Sequence, residues 1–431
     1  MTALTIRGGT LPGGSRRDLF VERGVFVESE VHGATVIDAD GLAILPGLVD
    51  LHTHLREPGS EQSETVLSGS RAAAAGGFTA VFAMANTSPV ADTARLVEQI
   101  QLLGVAAGYV TVRPIGAVTV GLKGERLADL RAMARSSAAV RVFSDDGACV
   151  SDPLLMRLAL EEVSAFGGVI AQHAQEPRLT EGAQMNEGSA SAKLGLTGWP
   201  AVAEEAIIAR DVLLAEHVGA RVHICHLSTA GSVDVVRWAK ARGIRVTAEV
   251  TPHHLLLTDN LVATLDPRYK VNPPLRTGED VAALRAAVAD GTIDIVATDH
   301  APHPVEAKEV EWSVAANGMV GLESALSVVQ ASLVDTGMLD WQDVARILSS
   351  APALIGGLPG YDAPFVPGTP ANLVVHDPSA SREFDTTDLH GRSVNSPYLA
   401  RRLPGRVIAT VHEGRPTVLQ GELLPVDEVA R

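Results

Sequence analysis

Short apolar runs alternate with helical stretches through the middle of this chain, and this alternation constrains the fold more than any other feature. The apolar runs lie at 48–54, 78–84, 109–115, 140–144, 168–173, 221–226, 245–250 and 293–299. Helical stretches between them include 65–75, 152–166, 202–217, 232–242 and 280–289. Parallel strands that are covered on both faces read as such apolar runs. Eight strand and helix units in succession predict an α/β fold, a (β/α)8 TIM-like barrel.

The two ends of the chain have a different texture, with short strands separated by tight turns. Residues 4–7 lead into Gly8-Gly9, and 371–376 and 406–411 are the clearest strands near the other end. Neither end has a long helical pattern. We therefore expect residues 1–46 and 363–431 to form one small β-sandwich domain, beside a barrel domain that spans residues 47–362.

Polar side chains recur at the carboxyl ends of the predicted strands. They are His52 and His54 on the first strand, Asn86 past the second, Asp145 and Asp146 past the fourth, His173 on the fifth, His226 on the sixth and Asp299 on the eighth. Active sites of (β/α)8 barrels are built at this end of the strands. The placement therefore predicts a single metal site.

The pair His52 and His54 is the centre of that prediction. Two residues apart on a strand, both imidazoles point to one face and can reach one divalent ion. On their own they could be ordinary polar strand residues, because a short motif is a hypothesis until its context is known. Imidazoles and carboxylates are suitable ligands for zinc, which acidifies bound water and polarises carbonyl oxygens.

Three aspartates are candidates for the acidic part of the site. Asp299 can contact the metal and take a proton from an attacking water, and a structural cap is the alternative. Asp145 and Asp146 begin an Asp-Gly turn, which is also ordinary turn chemistry. Spacing alone does not decide which of the two faces inward.

Strand alternation also predicts which neighbours point elsewhere. His300 should point away from the site as a packing group, and Cys225, next to His226, should face away from the metal. The odd spacing of His223 from His226 predicts the opposite face for His223. Residues 253–254, a second histidine pair, are candidates for supporting the ligands without touching the metal.

Four further residues are candidates for substrate contacts. Arg56 and Asn86 can hold a carboxylate through a planar guanidinium fork and an amide donor, although an arginine after a strand is usually a solvated loop residue. His303 lies in the loop after Asp299, where we expect a substrate contact. Asn272 gives a weaker signal, because Asn-Pro commonly opens loops.

Composition narrows the class of partner. A formal net charge of −16 argues against nucleic acid or an anionic membrane as the main partner, but permits a small anionic substrate at a locally positive site. Cys149 and Cys225 are the two cysteines, so a disulfide framework is not expected. The chain start lacks a signal-peptide pattern, and no apolar run approaches the roughly 20 residues of a membrane span. We expect a cytoplasmic protein.

Six segments taken together resemble class I bacterial dihydroorotases, which belong to the amidohydrolase superfamily. They are 52–59 (HTHLREPG), 84–87 (MANT), 144–147 (SDDG), 226–229 (HLST), 270–276 (KVNPPLR) and 298–303 (TDHAPH). The resemblance covers essentially the whole chain. The combination is specific, whereas His-x-His alone marks only the superfamily.

The resemblance implies reversible, zinc-dependent cyclisation of N-carbamoyl-L-aspartate to L-dihydroorotate in pyrimidine biosynthesis. It implies one or two zinc ions, with two favoured. The implied residues are His52 and His54 on one zinc, His173 and His226 on the other, Asp146 as bridge, Asp299 as metal contact and general acid/base, Arg56, Asn86 and His303 at the substrate carboxylate, and Asn272 at the ring. In hydrolysis, a metal-bound hydroxide would attack the ring amide carbonyl and Asp299 would carry its proton to the departing nitrogen. A homo-oligomer and association with aspartate carbamoyltransferase are further expectations.

Two alternatives stay open. Many superfamily relatives, such as hydantoinases and allantoinases, bridge their metals with a carboxylated lysine at the fourth strand, but 138–144 contains no lysine. A catalytically silent scaffold for aspartate carbamoyltransferase would typically lose metal ligands, whereas every ligand position here is filled. Ala85, where relatives often have proline, and Asn317, where an apolar residue is more common, depart from the family pattern without touching a proposed ligand.

Overall fold

The structure is a computed structural model that describes residues 3–425. Its strands are β1 (Leu4–Arg7), β2 (Leu19–Glu22), β3 (Val25–Val27), β4 (Thr35–Asp38), β5 (Ala43–Pro46), β6 (Leu48–Thr53), β7 (Phe78–Ala83), β8 (Thr111–Pro114), β9 (Val142–Phe143), β10 (Val169–Gln172), β11 (Met185–Asn186), β12 (Gly198–Trp199), β13 (Val222–Ile224), β14 (Val246–Val250), β15 (Ile295–Val296), β16 (Leu373–Phe384), β17 (Arg401–His412), β18 (Arg415–Leu419) and β19 (Glu422–Leu423). Residues 1–2 and 426–431, which belong to the predicted end segments, lie outside the described residues.

The α-helices fall mostly between the central strands. They are α1 (Val66–Ala75), α2 (Ala94–Ala107), α3 (Leu130–Arg135), α4 (Pro153–Ser164), α5 (Ser189–Leu194), α6 (Val202–Val218), α7 (Ala230–Ala241), α8 (Pro252–Leu256), α9 (Gly278–Ala289), α10 (Val305–Lys308), α11 (Ala325–Val329), α12 (Trp341–Ala345) and α13 (Ala351–Gly356). Two π-helical segments, Gln330–Val334 and Arg346–Ser350, continue α11 and α12. Short 3-10 turns lie at Val120–Leu122, Asp259–Thr264, Pro267–Tyr269, Leu322–Ser324 and Thr386–Asp388.

The central strands are parallel, as the apolar runs predict. One sheet has the order β6-β7-β8, and another has the order β15-β14-β13-β10-β9. Every pairing within these two sheets is parallel. Isolated parallel bridges join Gly116 to Phe143 and Thr53 to His300, so each sheet contacts the other at both of its edges. Each of the eight predicted runs contains one of these strands.

Local signals explain where the helices between these strands begin. The Thr65 hydroxyl accepts a hydrogen bond from the Ser68 N–H at the start of α1, and Thr277 does the same for Asp280 in α9. Asp152 caps α4, whose first residue is Pro153. Such caps satisfy backbone N–H groups that the helix itself leaves free. Because the strands are parallel, their carboxyl ends and the loops that lead to these helices lie at one side of the sheets.

The two ends of the chain come together beside the central strands. The first four strands form a sheet in the order β3-β2-β1-β4, and β5 joins the C-terminal strands in the order β19-β18-β17-β16-β5. β5 and β16 pair antiparallel, with Pro46 opposite Leu373. One buried apolar cluster contains residues of both sheets, among them Ile6, Val21, Leu373 and Val411. The two ends therefore share a small core.

Two other apolar clusters surround the central strands. The larger one joins strand residues such as Val81 to helix residues such as Ile207 and Leu284. Another brings together residues of several strands, including Val49, Ala171 and Ile295, with Ala353 and Ile355 of α13. Among the described residues, none of the helices has the length and apolar character that a membrane span requires.

Candidate metal and substrate site

Six of the predicted side chains meet at the carboxyl ends of the central strands, and all of them are buried: His52, His54, Asp146, His173, His226 and Asp299. The carboxylate of Asp146 contacts all four imidazoles. Its Oδ1 lies 3.2 Å from His173 Nδ1, 3.3 Å from His226 Nε2 and 3.4 Å from His52 Nε2, and its Oδ2 lies 3.3 Å from His54 Nε2. Asp299 Oδ1 lies 3.0 Å from His54 Nε2 and 3.5 Å from His52 Nε2. We call these six residues the strand-end cluster.

The backbone turns sharply at three site residues. Arg56, His226 and Asp299 have φ angles of 60°, 33° and 48°, in the left-handed region that non-glycine residues seldom adopt. Each such residue costs of the order of 1–3 kcal/mol, so the surrounding structure must hold it in place. His226 follows β13 and Asp299 follows β15, so the regular alternation of side chains ends at these two residues.

Two residues just before His226 in the chain lie close to Glu249. The Cys225 sulfur lies within 4.8 Å of a ring nitrogen of His52 and a carboxylate oxygen of Glu249, and its orientation away from the metal stays a prediction. His223, expected on the opposite face from His226, also reaches Glu249, at 3.0 Å from Nε2 to Oε2.

The geometry distinguishes the two adjacent aspartates. Asp145 Oδ1 accepts hydrogen bonds from the N–H groups of Val118 and Thr119, and its Oδ2 accepts one from the Thr119 hydroxyl. Its carboxylate is therefore occupied in holding the loop after β8. Asp146 alone of the pair places its carboxylate among the histidines.

Glu249 is a site residue that sequence reasoning missed. Its Oε1 accepts a hydrogen bond from His52 Nδ1 at 2.6 Å, and its Oε2 accepts one from His223 Nε2 at 3.0 Å. The backbone N–H of His226 also donates to it. Burial would raise the pKa of Glu249, yet the charge of His52 and the hydrogen bond from His223 hold it below its ordinary value. An isolated glutamate inside the apolar strand 246–250 was the available signal.

The electrostatics of the strand-end cluster fit a bound cation. His52 Nε2 is buried and makes no hydrogen bond within residues 3–425. Burial alone would lower the pKa of His52, but the surrounding carboxylates, chiefly Asp146 and Glu249, raise it well above its ordinary value. Ligand atoms of His52, Asp146 and His226 lie within 4.8 Å of one another, as do those of His52, His54 and Asp299. Unpaired imidazole nitrogen next to ionised carboxylate is a donor set that suits zinc.

The predicted carboxylate-binding residues lie beside the cluster. Arg56 Nη2 is 3.5 Å from His303 Nε2, and Arg56 Nε donates to the carbonyl of Pro302. Burial lowers the pKa of His303 to about 3, and the Arg56 charge adds to the effect, so the ring is neutral. Asn86 Oδ1 contacts His54 Nδ1 at 2.9 Å, which leaves the amide hydrogens of Asn86 as the groups that can donate to a ligand.

Asn272 and the nearby histidines are also close to the site. Asn272 Nδ2 donates to Gln175 at 3.2 Å, and Asn272 Oδ1 is buried without a partner in the described part of the chain. His254 Nε2 contacts the carbonyl of Pro273 at 3.2 Å and so supports the segment of Asn272. His300 Nδ1 accepts from the N–H of Gly321, away from the cluster.

Comparison with known proteins places this geometry in a family. Residues 41–232 match the family model described as Dihydro-orotase-like. A dihydroorotase of Leifsonia xyli subsp. xyli is 72% identical over 97% of this chain and 97% of its own length. The chain belongs to the dihydroorotase family. The dihydroorotase of Streptomyces coelicolor is 64% identical over 98% of this chain and 100% of its own, and that of Mycobacterium tuberculosis is 54% identical over 90% and 91%.

Solved structures of related enzymes share the fold of this dihydroorotase family member. L-hydantoinase from Arthrobacter aurescens superposes with a TM-score of 0.87 over 99% of this chain and 98% of its own, at 24% sequence identity. Dihydropyrimidinase from Brevibacillus agri superposes with a TM-score of 0.85 over 98% and 96%, at 21% identity. At these identities the likeness describes the fold and leaves the substrate to the residues of the site.

Proposed function

We propose that this chain is a dihydroorotase that interconverts N-carbamoyl-L-aspartate and L-dihydroorotate in pyrimidine biosynthesis. The observation that carries the proposal is the 72% identity to a dihydroorotase over 97% of both chains. The strand-end cluster with the half-buried Arg56 beside it is the site that such a reaction needs. A metal-dependent cyclic amide hydrolase is the corresponding enzyme class.

The fold proposal is a closed (β/α)8 barrel with a β-sandwich built from both chain ends. The two bridges that connect the three-stranded and five-stranded parallel sheets support closure. The apolar cluster shared by the two end sheets supports a sandwich. The proposed boundaries are 1–46 and 363–431 for the sandwich and 47–362 for the barrel.

For the metal, the proposal is two zinc ions. His52 and His54 would hold one, His173 and His226 the other, with Asp146 between them and Asp299 beside the first. Bound zinc would acidify a water molecule and polarise the scissile carbonyl. The contacts of Asp146 with all four imidazoles support its role as bridge.

Asp299 would move the proton in either direction. Burial raises the pKa of Asp299, but the charge of His52 and the hydrogen bond from His54 bring it below its ordinary value, so the carboxylate is ionised and able to accept a proton. In hydrolysis its Oδ atoms would take the proton of the attacking water and deliver it to the departing ring nitrogen. In cyclisation it would take the proton from the carbamoyl nitrogen.

Three residues would hold the carboxylate that distinguishes dihydroorotate from uncharged cyclic amides. The Arg56 guanidinium supplies positive charge, Asn86 supplies amide hydrogens, and His303 lies next to Arg56. Charge-assisted hydrogen bonds from arginine to a carboxylate are strong and directional. Asn272 would contact the ring. This group favours dihydroorotate over a hydantoin, although hydantoinases share the fold.

The test combines metal analysis with two substrates. Protein reconstituted with zinc is expected to hydrolyse L-dihydroorotate, and hydantoin is expected to react far more slowly. Turnover of hydantoin with none of dihydroorotate would overturn the substrate, and full activity of metal-free protein would overturn the metal. No turnover of either substrate by zinc-loaded protein would favour a silent scaffold. A homo-oligomer, association with aspartate carbamoyltransferase and a cytoplasmic location stay predictions.

A further inference from the structure

Gln175 lies between the strand-end cluster and the segment that carries Asn272. Its Oε1 contacts His173 Nε2 at 2.8 Å and accepts a hydrogen bond from Asn272 Nδ2 at 3.2 Å. Its amide hydrogens reach Thr180 Oγ1 at 2.7 Å. Because the Thr180 hydroxyl donates to the carbonyl of Glu176 at 3.1 Å, it accepts from Gln175. The amide is thereby oriented with its oxygen toward His173 and Asn272.

The first consequence concerns His173. A hydrogen bond to the Gln175 oxygen requires that Nε2 of His173 carry the proton. The lone pair of the neutral ring then lies on Nδ1, which is 3.2 Å from Asp146 Oδ1 and 2.9 Å from His226 Nε2. The tautomer of a ligating histidine is set in this way by the partner of its other nitrogen.

The second consequence concerns Asn272. Its amide nitrogen is engaged by Gln175, so its oxygen is the atom left for another partner. That oxygen is buried and has no hydrogen-bond donor within residues 3–425. A buried acceptor without a donor is unfavourable, and a ligand with an N–H group would remove that cost. The ring of dihydroorotate has such groups.

We infer that Gln175 is a positioning residue whose single oxygen sets both the metal-facing nitrogen of His173 and the substrate-facing oxygen of Asn272. Metal site and ring recognition are then coupled through one side chain that touches neither zinc nor substrate. The inference about Asn272 rests on the proposed function, because the hydrogen-bond donor expected at its oxygen is an N–H group of the dihydroorotate ring. The inference about His173 depends on the metal site alone.

The main test replaces Gln175 by methionine, which has similar length and lacks the oxygen. Mutation of a residue that hydrogen-bonds to a metal ligand typically lowers metal affinity or activity roughly 10- to 100-fold. For Gln175→Met we expect KM for L-dihydroorotate to rise about tenfold, and zinc to be lost at about one tenth of the chelator concentration that strips the wild type. Gln175→Glu keeps an accepting oxygen and is expected to recover both values to within about threefold. Gln101→Met, on the outer helix α2, is the matched control.

Two further measurements separate positioning from a general structural role. In an Asn272→Ala background, Gln175→Met should raise KM by no more than about twofold, because coupled residues are not additive. If Gln175→Met does not fold, Thr180→Val is the substitute, because it keeps Gln175 and removes the hydroxyl that orients the Gln175 amide. Both KM and zinc retention should then change in the same direction as expected for Gln175→Met, but by less. Unchanged KM and zinc retention in Gln175→Met, or a full effect on KM in the Asn272→Ala background, would overturn the inference. If wild type does not hydrolyse dihydroorotate, the proposed function fails, and the zinc measurement still tests the role toward His173.

Discussion

Histidine side chains are buried both in the strand-end cluster and at the contact between β16 and the segment Gln330–Val334. The charges of the neighbouring groups differ, and the pKa values of the two histidines shift in opposite directions. At β16, fully buried His376 contacts Gln330 Oε1 through Nε2 at 2.8 Å, and the Gln330 amide donates to the carbonyl of Pro378. Burial lowers the pKa of His376 to about 4, so the ring is neutral. In the cluster, ionised carboxylates instead raise the pKa of His52 well above its ordinary value, against the effect of burial.

The difference shows what each region is built for. A buried polar group that pairs with a neutral partner adds to stability, whereas converging charges are unfavourable until a ligand binds. The cluster also contains left-handed His226 and Asp299, which regular strand structure would avoid. Substitutions in the cluster should therefore change activity and zinc binding more than folding, and substitutions at His376 should do the reverse.

The largest expected effect is that of Asp299→Asn. Asparagine tolerates the left-handed backbone at this position and keeps the shape of the side chain, but it cannot accept the proton. We expect kcat for dihydroorotate hydrolysis to fall by at least about 10³-fold. The free energy of unfolding of the metal-free protein should fall slightly, because the lowered pKa of Asp299 means that His52 and His54 stabilise its ionised carboxylate in the folded state. Turnover within about tenfold of wild type, with zinc bound, would exclude Asp299 as the proton carrier.

A His376→Gln variant tests the other side of the comparison. The folded pKa of about 4 is below the value of roughly 6.5 for an unfolded chain, so between these pH values the unfolded state binds a proton that the folded state does not. Stability is therefore lost as pH falls through this window, by up to about 3 kcal/mol from this residue. Urea unfolding of metal-free protein from pH 7 to pH 4 should show a shallower decline for the variant.

At pH 7 the kinetic constants of His376→Gln should equal those of wild type, since His376 touches no residue of the cluster. An equal decline in stability for both proteins would show that His376 is not protonated on unfolding. A decline in kcat at pH 7 would show that the two regions are less independent than the contacts indicate.

The fold was largely predictable from sequence, since each central strand is an apolar run and each of the five named helical stretches overlaps an observed helix. The polar residues at strand ends could also be found, because parallel strands bring their carboxyl ends to one side of a sheet. Periodicity did not predict the left-handed backbone at Arg56, His226 and Asp299. Local geometry of this kind depends on contacts from other strands and leaves no pattern in the segment itself.

The supporting groups were harder to predict than the ligands. Glu249 and Gln175 act through hydrogen bonds to His52 and His173, and neither belongs to a motif with its own spacing. Spacing alone did not decide between Asp145 and Asp146, the family resemblance implied Asp146, and the contacts of Asp145 with the loop after β8 separate the two. Long-range hydrogen bonds thus determined the details that strand alternation left open.

A smaller effect is expected for Arg56→Lys, which keeps the charge and loses the planar fork. A hydrogen bond to a charged group is worth about 1.5–3 kcal/mol, so KM for dihydroorotate should rise roughly 10- to 100-fold. kcat should change much less, because Arg56 is proposed to hold the carboxylate rather than the reacting amide. Stopped assays over a range of substrate concentrations separate the two constants. A fall in kcat at unchanged KM would place Arg56 at the reacting bond instead.

The smallest of these effects concerns Glu249→Gln, which tests whether the unusual charge of the cluster serves zinc. The amide offers one oxygen where the carboxylate offered two, so either His52 or His223 loses its acceptor. We expect zinc affinity to fall roughly tenfold, measured by chelator competition, with most of kcat recovered at saturating zinc.

Glu204→Gln is the matched control for that variant, because Glu204 is equally buried and accepts hydrogen bonds from Ser228 without contacting the cluster. Its substitution should lower the free energy of unfolding and leave zinc affinity unchanged. If the two variants lose zinc equally, burial of charge near the strands would be a general requirement for folding. If only Glu249→Gln loses zinc, that carboxylate belongs functionally to the strand-end cluster. The contrast with His376 and its neutral partner Gln330 then extends to the groups that hydrogen-bond to the proposed ligands.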